Sequence, residues 1–293
     1  MNNVNELKMH LIRIFYLVLI LVLALVYWDT FSLLVYTWHT DPDYSHGFLV
    51  PILSGYLCWA KREALRALPL RPNVGGIIPL VFGLVIFVLG TIGQGGVSQQ
   101  RYSFLLVLIG LILLLFGKDH LRLLLFPIGF LLFMIPLPGV LQPEVLFPLQ
   151  LFAAKTATTI LFFLGIPVLR EGTIIQLAGS TLEVAEACSG IRSLLSLMAL
   201  GTIYAYFTES GAWNRLIIVL FSIPIAILAN ALRVAGTGLL AHLYGTQVAE
   251  GFYHHFSGWL MFLFAFLLFV GVAALLSHVC RRSGPVTTYE AVS

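Results

Sequence analysis

The chain has 293 residues, of which 59% are hydrophobic and only 10% charged, with a mean hydropathy of +0.98 and a formal net charge of +3. A soluble domain carries about a quarter charged residues, so this composition excludes a water-soluble globule and requires a membrane as solvent. The small positive balance is spread through connecting segments and no nucleic-acid motif accompanies it, so it bears on membrane orientation and not on nucleic-acid binding.

In chain order, Met1 to Arg13 precede an apolar run at 11–28 that lacks a small-x-small cleavage site and is long enough to span, which predicts a retained first helix. Further apolar runs at 46–60, 75–93, 102–117, 121–136, 188–207, 216–235 and 257–279 bring the expectation to eight spans of about 20 residues each. The second run is short, and Lys61-Arg62 and His46-Gly47 reach the interfaces from its ends. The expected fold is an all-α polytopic membrane protein in one membrane-embedded domain over 1–293. It comprises a five-helix half (1–136), an interfacial helix with a short outer β-hairpin (137–187), a three-helix half (188–280) and a polar tail (281–293).

If eight spans alternate, Lys8, Arg13, Lys61, Arg62, Arg66, Arg71, Lys118, Arg122, Arg215, Arg281 and Arg282 share one face, eleven of the sixteen basic residues. That face is expected to be cytoplasmic, with both termini inside. Arg101, Lys155, Arg170, Arg192 and Arg233 depart from the rule, and four of these five lie in the second half.

Between Pro136 and Cys188 the pattern changes. Pro136, Pro138, Gly139 and Pro143 end the fifth run. The stretch from Glu144 to Gly165, carrying Lys155, Thr156, Thr158 and Thr159, reads as an interfacial or re-entrant helix, because a crossing there would place Arg281-Arg282 outside. Val168 to Ala187 mixes β-branched residues with Arg170, Glu171, Glu183 and Glu186 around Ala178-Gly-Ser180, which predicts a β-hairpin on the outer surface.

The hairpin leads into Glu186-Ala-Cys188-Ser-Gly-Ile-Arg192. Cys188 opens the sixth span, Arg233 closes the seventh and His254 stands just before the eighth, so the three fall on one side of the membrane whichever way the chain is inserted. Arg215 and Arg233 are 18 residues apart, about 27 Å of helix, which carries Arg233 from the cytoplasmic end to the outer interface. A thiol near a helix N-terminus and a cation favours its thiolate, an arginine holds a carbonyl or a developing oxyanion, and a histidine moves protons near neutral pH. Together they suggest acyl transfer through a thioester, with Glu183 and Glu186 opposing ionisation of the thiol. Each residue also has a plainer reading: packing for a lone cysteine, a snorkelling anchor for Arg233, and headgroup contacts for His254 and His255.

The blocks Cys188-Ser-Gly-Ile-Arg192, Asn230-Ala-Leu-Arg233-Val234 and His254-His-Phe-Ser-Gly258-Trp259, with Asp43-Tyr-Ser-His46-Gly47-Phe-Leu-Val-Pro51 upstream, resemble the signature blocks of exosortases and the related archaeosortases from about Asp41 to Val279. The resemblance implies a cysteine transpeptidase-like enzyme at the outer face of the bacterial inner membrane. Its substrates are secreted proteins with a C-terminal Pro-Glu-Pro-type motif, a membrane helix and a basic tail. Cys188 is then the acyl-thioester nucleophile, Arg233 the proton donor or carbonyl ligand, and His254 the group stabilising the transition state. Many members carry an acidic residue where this chain has His255, which leaves open which imidazole acts; the four-residue spacing to Gly258 favours His254.

Arg192, Arg170 or Lys155 would meet the motif's carboxylate, and Asn230, Glu186 and His255 complete the expected substrate contacts. No cofactor or metal is expected: Asp41, Asp43 and His46 read more simply as a turn and N-cap, and three scattered cysteines make no cluster. Cys58 and Cys280 fall near the opposite membrane face. The short tail after Arg281 suggests the sorting core alone, without the additional domain tied to exopolysaccharide export in some exosortases. Two competing functions use the same residues: a transporter or flippase of a lipid-linked glycan, which would tolerate loss of the thiol, and a membrane acyltransferase, which would need an acyl donor.

Overall fold

The computed structural model describes residues 2–93, 96–139, 141–178, 180–184, 190–209, 211–245 and 252–283, with backbone alone for 2–9, 96–97, 180, 252–257 and 279–283. It is predominantly helical and divides into two compact units, Met1–Pro138 and Gly139–Ser293.

The first unit contains α1 (Asn2–Val26), α2 (Trp28–Thr40), α3 (Leu49–Ala60), α4 (Arg62–Ala67), α5 (Ile77–Ile92), α6 (Gly96–Leu115) and α7 (Lys118–Phe130). The first apolar run continues past its expected end at 28: α1 and α2 form a pair bent by 60°. Tyr27 stands at the break, fully buried, its hydroxyl 2.9 Å from Ser103 Oγ on α6. Phe31 and Phe104 pack edge to face beside it at 4.9 Å. Tyr27 is anchored on both its polar and apolar parts.

α5 and α6 pack through glycines. A methyl group built at Gly110 would lie 2.5 Å from the Leu80 nitrogen, and one at Gly76 would lie 2.5 Å from the Leu114 nitrogen. Two helices approach this closely only where a side chain is missing. Replacing Gly110 with alanine is therefore expected to cost about 1–3 kcal/mol by overpacking, despite alanine's better helix propensity. A denaturant midpoint in detergent measures it, with Gly55→Ala as control because its added methyl meets nothing within 4 Å. Equal midpoints for the two variants would contradict this packing account.

Pro127 lies inside α7 and cannot donate to the carbonyl of Leu123 four residues earlier. The Lys61 ammonium donates to that carbonyl at 2.7 Å, and the Ser54 hydroxyl donates to the Pro127 carbonyl at 2.8 Å. The chain between α2 and α3 is a 3-10 turn, Pro42–Phe48, in which the Asp41 carboxylate accepts from the Asp43 amide. This is the capping role expected of Asp41.

The second unit contains α8 (Gln142–Phe163), strands β1 (Val168–Glu171), β2 (Ile174–Leu177) and β3 (Ser180–Glu183), then α9 (Ile191–Thr208), α10 (Ala212–Tyr244) and α11 (Phe252–Ser283). The expected hairpin is present as β2 and β3, paired antiparallel with Ile175 opposite Leu182, and β1 extends it to a three-stranded meander. Gly172, at φ +64°, turns β1 into β2. α10 is the central element. One of its sides packs Val234, Ala235 and Ala241 with Ala153, Ala154, Ala157 and Leu161 of α8 and with Ile175, Leu182 and Val184 of the sheet region. Another packs Ile218, Ile225, Ala226 and Ala229 with Leu197 of α9 and Phe269 of α11.

Six helices are long and apolar enough to cross a membrane among the described residues, or seven if the bent α1–α2 pair is one span. The expected count of eight is corrected in two places. α3 and α7 have 12 and 13 residues, about 18 and 20 Å of helix, against a hydrocarbon core of about 30 Å. Conversely α8, expected to lie at the interface, has 22 residues and the length and hydropathy of a span.

Candidate functional site

α9 begins at Ile191, and its N-cap is Gly190 with φ +83°, a left-handed conformation that side chains disfavour. A methyl group built on Gly190 would lie 2.7 Å from Asn230 Cγ and 2.8 Å from its Nδ2. The bare backbone at the start of α9 therefore lies directly on the Asn230 amide, which is 5% exposed in α10. Leu149 and Ala153 of α8, Leu194 of α9 and Ile227 of α10 join Gly190 and Asn230 around a small pocket. Three helices of the second unit thus meet at one asparagine.

Arg233 lies about one turn beyond Asn230 on α10 and is half-buried. The position of a built methyl on Gly258 of α11 is 3.6 Å from Arg233 Nη1, ordinary van der Waals contact, so this part of α11 lies beside the guanidinium. The structure in this way brings together Gly190 from the first signature block, Asn230 and Arg233 from the second, and Gly258 from the third.

Two expected positions are corrected. Arg233 does not close its helix, because α10 continues eleven residues to Tyr244 and stops at Gly245, whose φ of +86° is the left-handed terminator. The 33 residues of α10 make about 50 Å of helix, so it projects well beyond a hydrocarbon core of about 30 Å. His254 does not precede α11 but is its third residue, with His255 next and Gly258 one turn on. The side chains of both histidines lie outside the described residues, as do Glu186 and Cys188 entirely.

Arg192 is exposed in the first turn of α9. Arg170, exposed on β1, donates to the Gly172 carbonyl at 2.9 Å, and Lys155 is exposed on α8. Glu183 ends β3, and Val184 after it joins the core through its side chain and bonds the Thr173 carbonyl at 3.0 Å. The pocket-lining Leu149 and Ala153 were not anticipated as site residues. The small side chains of Ala153, Ala154 and Ala157, on one face of α8, are the signal that this helix packs closely against a neighbour.

Fold and site define a multi-pass helical membrane protein whose polar groups converge where α8, α9, α10 and α11 meet. The chain matches the family model described as transmembrane exosortase over residues 38–271, most of its length, and belongs to that family. Its class is a membrane enzyme that processes the sorting signals of secreted proteins. No curated protein and no solved structure matches the chain.

Proposed function

We propose that the protein cleaves the C-terminal sorting signal of secreted proteins through an acyl-thioester on Cys188, at the outer face of the bacterial inner membrane, with both termini cytoplasmic. The observation that carries this reading is the meeting of three signature blocks: Gly190, two residues after Cys188, rests on Asn230, and Gly258, four residues after His254, faces Arg233. Residues 230 and 233 are one turn apart on one helix, so a group bound between the neighbouring helix starts meets both.

In this mechanism the Cys188 sulfur attacks the carbonyl carbon of the scissile peptide bond as its proton passes to a base, His254 in our assignment. Arg233 holds the carbonyl oxygen as negative charge develops there. Collapse breaks the C–N bond, and the amine of the departing tail takes a proton from the imidazolium. The thioester then passes its acyl group to an acceptor, an amine or hydroxyl in transfer or water in hydrolysis, and the thiol is regenerated. Asn230 positions the substrate backbone, and Arg192, Arg170, Lys155, Glu186 and His255 supply further substrate contacts. The proposed substrate signal is a short Pro-Glu-Pro-type motif followed by a membrane helix and a basic tail.

The test is co-expression with a tagged protein bearing such a tail, read by gel shift and by the mass of the new C-terminus. Removal of the tail by the intact chain, with the product mass reporting the acceptor, is the expected result. Unchanged tail in the presence of intact protein would reject this reading. Normal processing without the thiol would reject the thioester step and move a glycan flippase ahead.

A further inference from the structure

The pocket beside Asn230 has a shape that the directions of its three helices explain. Gly190 of α9 lies against Asn230 of α10, and a methyl group built on Gly201 would lie 3.6 Å from Ser222 Cβ, so these two helices run antiparallel. Gly238 of α10 meets Leu161 of α8 at 2.8 Å from its built methyl, eight residues beyond the pocket-lining Asn230 and Ala153 on each helix, so those two run parallel. Each helix therefore gives the pocket two residues one turn apart. The layer that carries Gly190 holds Ala153 and Asn230, which are 2% and 5% exposed. The layer beneath it holds Leu149, Leu194 and Ile227, all half-buried.

A mouth of glycine, alanine and asparagine over an aliphatic floor selects its occupant. The space admits a group about the size of one water molecule, about 30 Å³, which is also the scale of a methyl group. Water itself fits poorly, because a bound water needs about two to four polar partners and four of the six lining side chains are hydrocarbon. A lipid acyl chain is too long, since the floor closes the slot about one turn, 5.4 Å, below the mouth. A small side chain fits both layers. Gly190 is separated from Cys188 by two residues of chain, at most about 7 Å, so the pocket adjoins the thioester. The residue joined to sulfur in that thioester stays through both chemical steps, whereas the leaving segment departs.

We propose that this pocket is the specificity subsite for the acyl-side residue of the scissile bond, and that it restricts this residue to glycine, alanine or serine. The proposal rests on the processing function above and deepens it. Leu149, Ala153, Leu194 and Ile227 set the size limit, and the Asn230 amide stands at the rim for the backbone or a serine hydroxyl.

The first test reads the mass of the new C-terminus of a processed substrate, which is expected to end in one of these three residues. Replacing that residue with valine or leucine should lower processing about tenfold or more. Leu149→Ala opens the floor and should raise the valine-to-alanine ratio about tenfold, whereas Ala153→Val narrows the mouth and should lower the alanine-to-glycine ratio by a similar factor. A large residue at the new C-terminus, or equal ratios in the intact chain and in Leu149→Ala, overturns the proposal. The second test needs no processing. In full-length protein carrying Cys58→Ser and Cys280→Ser, Cys188 is treated with ethyl or isobutyl methanethiosulfonate; its sulfur forms a disulfide with the alkylthio group as methanesulfinate leaves, and mass reports each rate. The ethyl-to-isobutyl rate ratio, relative to free cysteine, should be about ten or more and fall toward one in Leu149→Ala. A ratio near one before that substitution, or unchanged after it, also overturns the proposal. Size selection at Cys188 without processing rejects the enzymatic reading alone, and processing without size selection rejects the subsite alone.

Discussion

Replacing Cys188 with alanine is expected to leave the precursor of a cognate substrate uncleaved, with processing reduced by about three orders of magnitude or more, as when a covalent nucleophile is removed. The reason is chemical: the Ser189 hydroxyl and the Arg192 guanidinium, next in sequence, are not thiolates at neutral pH and do not replace the sulfur in forming an acyl-enzyme. Cys188→Ser sharpens the result, because it keeps size and polarity but replaces a sulfur nucleophile with a far less ionised hydroxyl. Both variants should accumulate in the membrane at the level of the intact chain. Processing by Cys188→Ser at more than a few per cent of the intact rate would place the chemistry elsewhere. Trapping the substrate on the intact protein as a hydroxylamine-sensitive adduct would identify the thioester directly.

Gly190→Ala is expected to lower processing tenfold or more while the protein remains in the membrane. Two costs act at one residue. A non-glycine residue at φ +83° is strained by about 1–2 kcal/mol, and its methyl group would stand 2.7 Å from the buried Asn230 side chain, an overpacking of about 1–3 kcal/mol. Relief requires moving the start of α9 or rotating Asn230, and either displaces the segment that carries Cys188 relative to Arg233. Gly172→Ala separates the two costs. Its φ of +64° imposes similar strain, but its added methyl meets nothing within 4 Å. Gly172→Ala should therefore lose some thermal stability and keep its activity, whereas Gly190→Ala should lose activity. Equal activity in both would show that the contact with Asn230 is not what holds the site.

The sequence made the membrane class legible because hydrophobic length is a local property: a run of apolar residues reads the same in any fold. The same locality misled at two points. The run 121–136 counts as a span until the 3-10 turn after Phe130 ends its helix at 13 residues. The run 46–60 begins in a 3-10 turn and leaves only 12 residues of α-helix. The stretch of α8 reads as interfacial for a different reason, that a crossing there would place Arg281-Arg282 outside; yet it has the length and hydropathy of a span, and its Thr158 and Thr159 return their hydroxyls to the carbonyls of Ala154 and Lys155 and so add little polarity at its surface. The hairpin was legible from its β-branched residues and the Ala178-Gly-Ser180 turn. The stretch Val168 to Ala187 holds three strands and not two because Gly172, at φ +64°, makes a second turn that the composition does not separate from the strands beside it.

By itself the sequence determined that this chain lives in a membrane, that it carries exosortase signature blocks, and that Cys188, Arg233 and His254 follow one another in separate blocks of its second half. Those are properties of residue type and order. Only the tertiary structure decided that α10 continues three turns past Arg233, that Gly190 leaves room for Asn230, and that Gly258 lies beside Arg233. The physical reason is that a glycine's absent side chain acquires meaning from what stands opposite it, which packing sets and sequence distance does not.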